Sequence, residues 1–385
     1  MASKRRASDN GDTVDTISKR SRTDVSTNLS FGIEIEAFVV YHKSRRSWPT
    51  KGTQMNTEAH DTTFDIERRL LRGSGLTFLE YENEFDRSEE YKNNTSAWKM
   101  DEEFSLTRLT TEQIVQIVTS KQGELSILAK FSPETWLSGA IEFVSPKYED
   151  IQTAREDLDK LVSHTHTKTS FLLVNDDCGL HVHVGRVDDE TLPLRPLQCL
   201  AFITVIFEAE IDRLHPSQRH NNVHIESTRK FFQQEVNNKL PIPVSQLVAT
   251  DNVQLMSVED IRRNIFQRRD LSSFMVLMGD HERNYRVNFS NIGSDCDPPR
   301  TVEFRQHAGC IDPQVILHWV TFCDALVRWA YQLAEDDECL PDIKSWENTE
   351  DISITRLLDS LNLPEPTRAF YLSKIRITPN VTAHP

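Results

Sequence analysis

From Phe31 to Ala37 apolar and polar residues alternate before Phe38, Val39 and Val40 close the run, and this two-residue period predicts a strand over 31–40 with one face toward a core. Residues 42–60 are polar with Pro and Gly and read as a loop, 61–72 as a short helix, and 83–97 as a second polar stretch. Thr110-Thr-Glu-Gln113 is a capping-box pattern that opens a helix with Ile114, Ile117 and Val118 on one face. A further strand covers 138–144, after which Ser145 is expected as N-cap and Pro146 as the first helical residue. Ile151, Ala154, Leu158, Leu161 and Val162 then fall on helical spacing. A third strand spans 178–185, and 197–214 reads as a largely buried helix with Glu208, Glu210 and Asp212 near its end. The segment 215–283 is polar, with one helix expected over 258–268. Strands follow over 284–289 and 301–307, then an apolar helix over 313–334 in which Asp324 and Arg328 can pair at i,i+4. Residues 336–385 read as acidic helical decoration. Because the strands keep polar positions instead of the continuous apolar runs of a doubly covered parallel sheet, the expected class is α+β. The sheet is mostly antiparallel and curved, with helices on one face and an open polar face.

Side chains at i and i+2 of a strand share a face. That rule groups Glu34 with Glu36, His181 with His183, and Glu303 with Arg305 and His307; Glu142 is a fourth such position and Arg286 with Asn288 a fifth. A half-solvated sheet also alternates, but its polar positions favour Thr, Ser and Lys, whereas these are Glu, His and Arg. Four converging carboxylates repel unless cations neutralise them. Mg²⁺ and Mn²⁺ suit a cluster of Glu with a His better than structural zinc does, and Arg305 adds a planar cation suited to phosphate or carboxylate. Carboxylates, metal and arginine together are the parts of phosphoryl transfer. The His181-Val-His183 element alone is also compatible with a metal-dependent hydrolase, and His164-Thr-His166 is assigned no role.

Composition narrows the classes further. With 38% apolar and 27% charged residues the chain is globular, and its longest apolar window, 315–334, is broken by Asp324 and Arg328, which excludes a membrane span. The first 28 residues hold six basic and four acidic residues, so a net charge of −15 leaves −17 on the remainder, a body that repels duplex nucleic acid. That tail has almost nothing apolar and is expected to be disordered. Its clusters Lys4-Arg5-Arg6 and Lys19-Arg20-Ser21-Arg22 have the form of a bipartite nuclear import signal, against the simpler reading of a solvated tail. No secretory pattern opens the chain and the six cysteines form no CxxC pair, so a reducing compartment, cytoplasmic or nuclear, is expected. The P-loop and dinucleotide glycine motifs are absent.

Four motifs, in order, carry a family resemblance: Phe31-Gly-Ile-Glu34-Ile-Glu36, Gly139-Ala-Ile-Glu142-Phe-Val-Ser145-Pro146, Cys178-Gly-Leu-His181-Val-His183-Val-Gly185 and Thr301-Val-Glu303-Phe-Arg305-Gln-His307. Together with the helix that begins Asp312-Pro-Gln-Val, they resemble the amidoligase family, relatives of glutamine synthetase and glutamate–cysteine ligase, over residues 30 to 335. The resemblance implies a glutamine synthetase-like catalytic domain over 29–335, between the tail 1–28 and a helical extension 336–385. It implies an ATP-dependent carboxylate–amine ligase acting through an acyl phosphate, with a nucleotide, a carboxylate and an amine as its partners and no nucleic acid or membrane among them. Glu34, Glu36, Glu142, His183 and Glu303 are then expected to hold Mg²⁺ or Mn²⁺ against ATP. Glu303 and Arg305 are catalytic; His181, Arg286, Asn288 and Arg305 contact the nucleotide; Arg219, Asn222 and Tyr285 meet substrate. One departure is Trp98-Lys-Met-Asp101-Glu-Glu-Phe-Ser105, whose serine is displaced from the family's Asp-x-Ser element. On residues alone, a hydrolase built on His181 and His183 and a non-catalytic, protein-binding descendant stay open as alternatives; retention of all the matching carboxylates argues against the latter.

Overall fold

The computed structural model describes residue 71 and residues 28–42, 73–79, 93–107, 109–120, 136–166, 170–220, 225–239, 256–279, 283–293, 300–335 and 352–377. The basic clusters of the tail, the loop over 42–60, the helix expected over 61–72 apart from Leu71, Asn222, and Cys296 and Cys339 lie outside the described residues.

Seven strands form one open antiparallel sheet. They are β1 (Leu29–His42), β2 (Lys99–Glu102), β3 (Trp136–Val144), β4 (Ser170–Leu173), β5 (Gly179–Arg186), β6 (Val287–Asn288) and β7 (Thr301–Ala308), in the order β2-β3-β1-β5-β7-β6 with β4 paired to the far half of β1. The helices are α1 (Thr111–Ser120), α2 (Ile151–Thr165), α3 (Leu194–Asp212), α4 (Ser217–His220), α5 (Thr228–Lys239), α6 (Val258–Phe266), α7 (Leu271–Met278), α8 (Pro313–Glu335), α9 (Ile354–Ser360) and α10 (Glu365–Ile377). The chain is therefore mixed α+β with an antiparallel sheet, as its pattern of polar strand positions predicts.

Alternation along β1 decides which face is dry. Ile33, Ile35, Ala37, Val39 and Tyr41 join Leu180, Val182, Val302 and Phe304 in the main core beneath α2, α3 and α8. Helix α3 is apolar on every side, and each residue from Pro196 to Glu208 is buried, because it runs through the middle of the helical layer. Among its buried polar residues is Gln198, whose amide donates to the Ile265 and Arg268 carbonyls at 3.0 and 2.8 Å, closing the end of α6.

The second face is not uniformly open. Phe38 and Val40, in step with Glu34 and Glu36, pack with Leu106, Ile114, Trp136 and Phe171 in a smaller cluster under α1, so helices cover one face fully and the far end of the other. That explains why β1 alternates at its start and is wholly apolar at its end. The capping box forms as read: Gln113 Oε1 accepts the Thr110 N–H at 2.8 Å and Thr110 Oγ1 accepts the Gln113 N–H at 3.3 Å. Ser145 does not cap α2. Its hydroxyl oxygen accepts the Ile33 N–H at 2.8 Å, the chain stays extended to Tyr148, and Asp150 caps the helix through the Thr153 N–H at 2.7 Å.

The described residues of the segment 215–283 hold four helices, where only α6 is expected from sequence. The C-terminal residues do more than decorate: Ile354, Leu357, Leu358 and Tyr371 are buried in the main core against α3 and α8. Tyr371 is fully buried, and its hydroxyl has no hydrogen-bond partner among the described residues. Tyr371→Phe is therefore expected to raise stability by about 1 kcal/mol, since an unsatisfied buried hydroxyl costs roughly that; a lower thermal midpoint in the variant contradicts this.

Candidate active site

The open part of the polar face is the floor of a cavity of about 830 Å³. Strand register builds the floor. Glu34 lies opposite His181, Glu36 opposite Glu142, and Glu142 opposite Asp101, while His183 faces Glu303 and Glu303 faces Asn288. Paired positions across an antiparallel sheet present their side chains on the same face, so residues from six strands converge.

His181 is the centre of this group. Its Nδ1 lies 3.2 Å from Glu34 Oε2 and 3.5 Å from Glu303 Oε1, and its Nε2 lies 3.4 Å from Glu36 Oε1. His183 Nε2 is 3.1 Å from Glu34 Oε1 and 3.9 Å from Glu303 Oε1, with its Nδ1 at 3.0 Å from Thr301 Oγ1. Glu303 Oε1 also pairs closely with Arg305 Nη1, and Oε2 accepts the Asn288 amide at 2.8 Å. Glu36 Oε2 accepts the Gly179 N–H at 2.6 Å. Two sets of ligand atoms, Glu34–His181–Glu303 and Glu36–Glu142–His181, each lie within 4.8 Å of one another.

The electrostatics follow from crowding carboxylates out of water. Burial, then Glu34, Glu103, Glu36 and Asp101, pushes the Glu142 carboxyl well above the usual range. Burial opposes charge on His183, but Glu34 and Glu303 outweigh it and raise the imidazole to about 9. Glu34 and Glu303 are also penalised by burial, yet the neighbouring histidines, and Arg305 beside Glu303, hold both below the ordinary value. The Glu34 and Glu303 carboxylates thus face the His183 imidazole and the Arg305 guanidinium across the cluster.

Not every residue expected at the site reaches it. His307 does not share the face of Glu303 and Arg305. Val182 pairs with Phe304 but Leu180 pairs with His307, so β7 carries a bulge that reverses its alternation. The His307 ring lies in the helical layer, 5.1 Å from that of His215 and 5.6 Å from that of Trp319, and burial lowers its pKa to about 3. Arg286 and Asn288 do not share a face either. Strand β6 is only two residues long, so alternation stops short of Arg286, whose Nη1 lies 2.8 Å from Glu208 Oε1 and 2.9 Å from Asp212 Oδ2 on α3. Tyr285 is buried with its ring 4.4 Å from that of Phe231 and does not line the cavity.

Arg219 does line it, with Nη2 at 3.2 Å from the Arg305 carbonyl, and burial lowers its pKa to about 10. Glu103, Asp176, Asp177, Gln218 and Arg283 complete the walls and were not singled out from sequence. They sit on loops or a short helix, where no periodicity marks them. Only Glu103 carried a signal, standing two residues past Asp101 in the segment that departs from the family pattern.

Among the described residues, no helix is long and apolar enough to cross a membrane. No curated protein matches the chain. The family model described as putative amidoligase enzyme matches residues 27–327 and so takes in every strand and the helices up to most of α8. The chain therefore belongs to the amidoligase family, ligase-type enzymes that join a carboxylate to an amine through a carbon–nitrogen bond.

Proposed function

We propose that the protein is an ATP-dependent carboxylate–amine ligase using Mg²⁺ or Mn²⁺, acting through an acyl phosphate on a glutamine synthetase-like catalytic domain over 29–335. The observation that carries this reading is the gathering of Glu34, Glu36, Glu142 and Glu303 around His181 on one face of the sheet. Carboxylates crowded this closely out of water repel one another, and bound divalent cations relieve that repulsion. Carboxylate oxygens with imidazole and no thiolate in the ligand sets suit Mg²⁺ or Mn²⁺.

Glu34 and Glu303 would hold one cation, with His183 beside it, and Glu36 and Glu142 a second; His181 would serve one of the two, since a neutral imidazole offers a single lone pair. Cations held there would supply charge neutralisation for a triphosphate. Arg305, oriented by Glu303, meets the phosphoryl group in transfer, and Arg219 offers a second cation for the acid. A carboxylate oxygen of the acid takes the γ-phosphoryl group of ATP and ADP leaves. The amine nitrogen then attacks the acyl carbon, the bond from that carbon to the phosphate oxygen breaks, and the nitrogen gives up a proton. Ligand pockets run to about 1,000 Å³ at the large end, so the cavity has room for a nucleotide and an acid together.

Calorimetry with Mg²⁺ and ATP tests the reading. At about 100 times the dissociation constant the pair adds roughly 2.7 kcal/mol of stability, and ATP with a chelator adds none. Since burial and the neighbouring carboxylates raise the Glu142 pKa, cation affinity is expected to rise with pH and binding to release protons, counted in buffers of different ionisation enthalpy. Equal stabilisation with and without the cation contradicts it.

A further inference from the structure

Behind the cavity wall, Glu208 and Asp212 stand one turn apart on α3, and both are buried. Arg286 bridges them, and Glu208 accepts further bonds from the Ser227 hydroxyl and, at 3.0 Å, the Arg229 N–H. Thr228 Oγ1 accepts the Val287 N–H at 3.1 Å. These bonds fasten a two-residue strand at the sheet edge, which by itself has too few ladder bonds to hold its place. What the strand does next is specific: the Arg286 carbonyl accepts the Arg305 N–H at 2.8 Å, and the Asn288 amide donates to Glu303 Oε2 at 2.8 Å. Asn288 is itself fully buried, and its Oδ1 accepts the Ser290 N–H at 2.8 Å, so its side chain is fixed at both ends.

We infer that Arg286, clamped by Glu208 and Asp212, and Asn288 are positioning residues that set the placement of Glu303 and Arg305 from outside the cavity. This rests on the reading that Glu303 holds a cation. A buried ion triad is a poor source of stability, because apolar residues of equal volume do as well or better, and its best-attested use is to fix register. Here the register fixed is that of β6 on β7, which decides where the Glu303 carboxylate and the Arg305 main chain lie. The chain of contacts also accounts for Arg286 being turned from the cavity: its charge is spent on α3 and its carbonyl on Arg305.

The test uses the full chain and Mn²⁺ alone, followed by electron paramagnetic resonance. Asn288→Ala and the triple variant Glu208→Gln/Asp212→Asn/Arg286→Met, which removes the three charges of the triad together, are expected to bind Mn²⁺ about 10- to 100-fold more weakly, the usual loss when the partner of a metal ligand is removed. Asn288→Asp probes the geometry from the other side, since two carboxylates then meet where an amide donated. Leu357→Ala, buried in the core and remote from the cavity, is expected to lower the thermal midpoint while leaving Mn²⁺ affinity unchanged, which separates positioning from stability. Amide hydrogen exchange in the metal-free protein gives a readout that needs no cation: residues 301–308 exchange faster in the triple variant while α3 stays protected. A folded triple variant with wild-type Mn²⁺ affinity and unchanged exchange over 301–308 overturns the inference. If the wild-type chain takes up no Mn²⁺, the cation reading falls, and the exchange pattern alone decides whether the clamp positions β7.

Discussion

Arg305→Ala is expected to lower ATP-dependent turnover by about 10³-fold or more, the range found when an arginine that meets the phosphoryl group is lost. The guanidinium is largely withdrawn from solvent, and Glu303 holds its Nη1. In that setting a positive charge aimed at a developing anion acts in a medium of low polarisability and needs no reorganisation at the moment of transfer. Arg305→Lys is expected to recover only part of the loss, since an ammonium on a flexible stem lacks the planar fork. The assay is release of ADP in the presence of Mg²⁺ and a panel of small carboxylic acids and amines. Wild-type rates in Arg305→Ala remove Arg305 from the chemistry and leave it as a structural partner of Glu303.

Gly179→Ala is expected to lower turnover by about 10²-fold while sparing the fold. A β-carbon at this position meets His181 Nε2 at 2.6 Å, Arg219 Nη2 at 2.7 Å and Glu36 Oε2 at 3.0 Å. All three are the ends of side chains, so the strand can keep its pairing, but the centre of the ligand cluster and the buried arginine must move apart. The Gly179 N–H also anchors Glu36, so a shift of this strand end reaches that carboxylate as well. Misplacement of about 1 Å costs on the order of 10²-fold in rate. The measurements are turnover and Mn²⁺ affinity beside a thermal melt; a variant with an unchanged melt and unchanged affinity shows that the packing around Gly179 is not what holds the cluster.

Much of this site is legible along the chain because strands have a period of two and carry few residues. Glu34 and Glu36, His181 and His183, Glu142 and Glu303 announce themselves as charged positions between strong strand formers, and the face they share is the face they occupy. What alternation cannot carry is a break in its own period. The extra residue in β7 has no marker in Glu303-Phe-Arg305-Gln-His307, so His307 is read onto the wrong face. Similarly, nothing in Tyr285-Arg286-Val287-Asn288 says that pairing lasts for two residues, which is why Arg286 is read into the cavity and not into the ion triad with α3. Ser145 followed by Pro146 has the chemistry of a helix start, but the sheet edge claims the hydroxyl first. Helices α5 and α7 were lost for different reasons: α5 is mostly polar, and α7 is a run of eight residues too short to show a helical period. The walls of the cavity, on loops, depend on tertiary placement alone.

If these carboxylates hold divalent cations, anomalous scattering from crystals soaked in Mn²⁺ with a non-hydrolysable ATP analogue locates the ions among them. Anomalous peaks are expected beside Glu34 and Glu303 and beside Glu36 and Glu142, with His181 ligating one of the two, and the first peak is lost in Glu34→Gln/Glu303→Gln. Crystals that bind the analogue while the manganese signal lies elsewhere, or nowhere, contradict the cation reading.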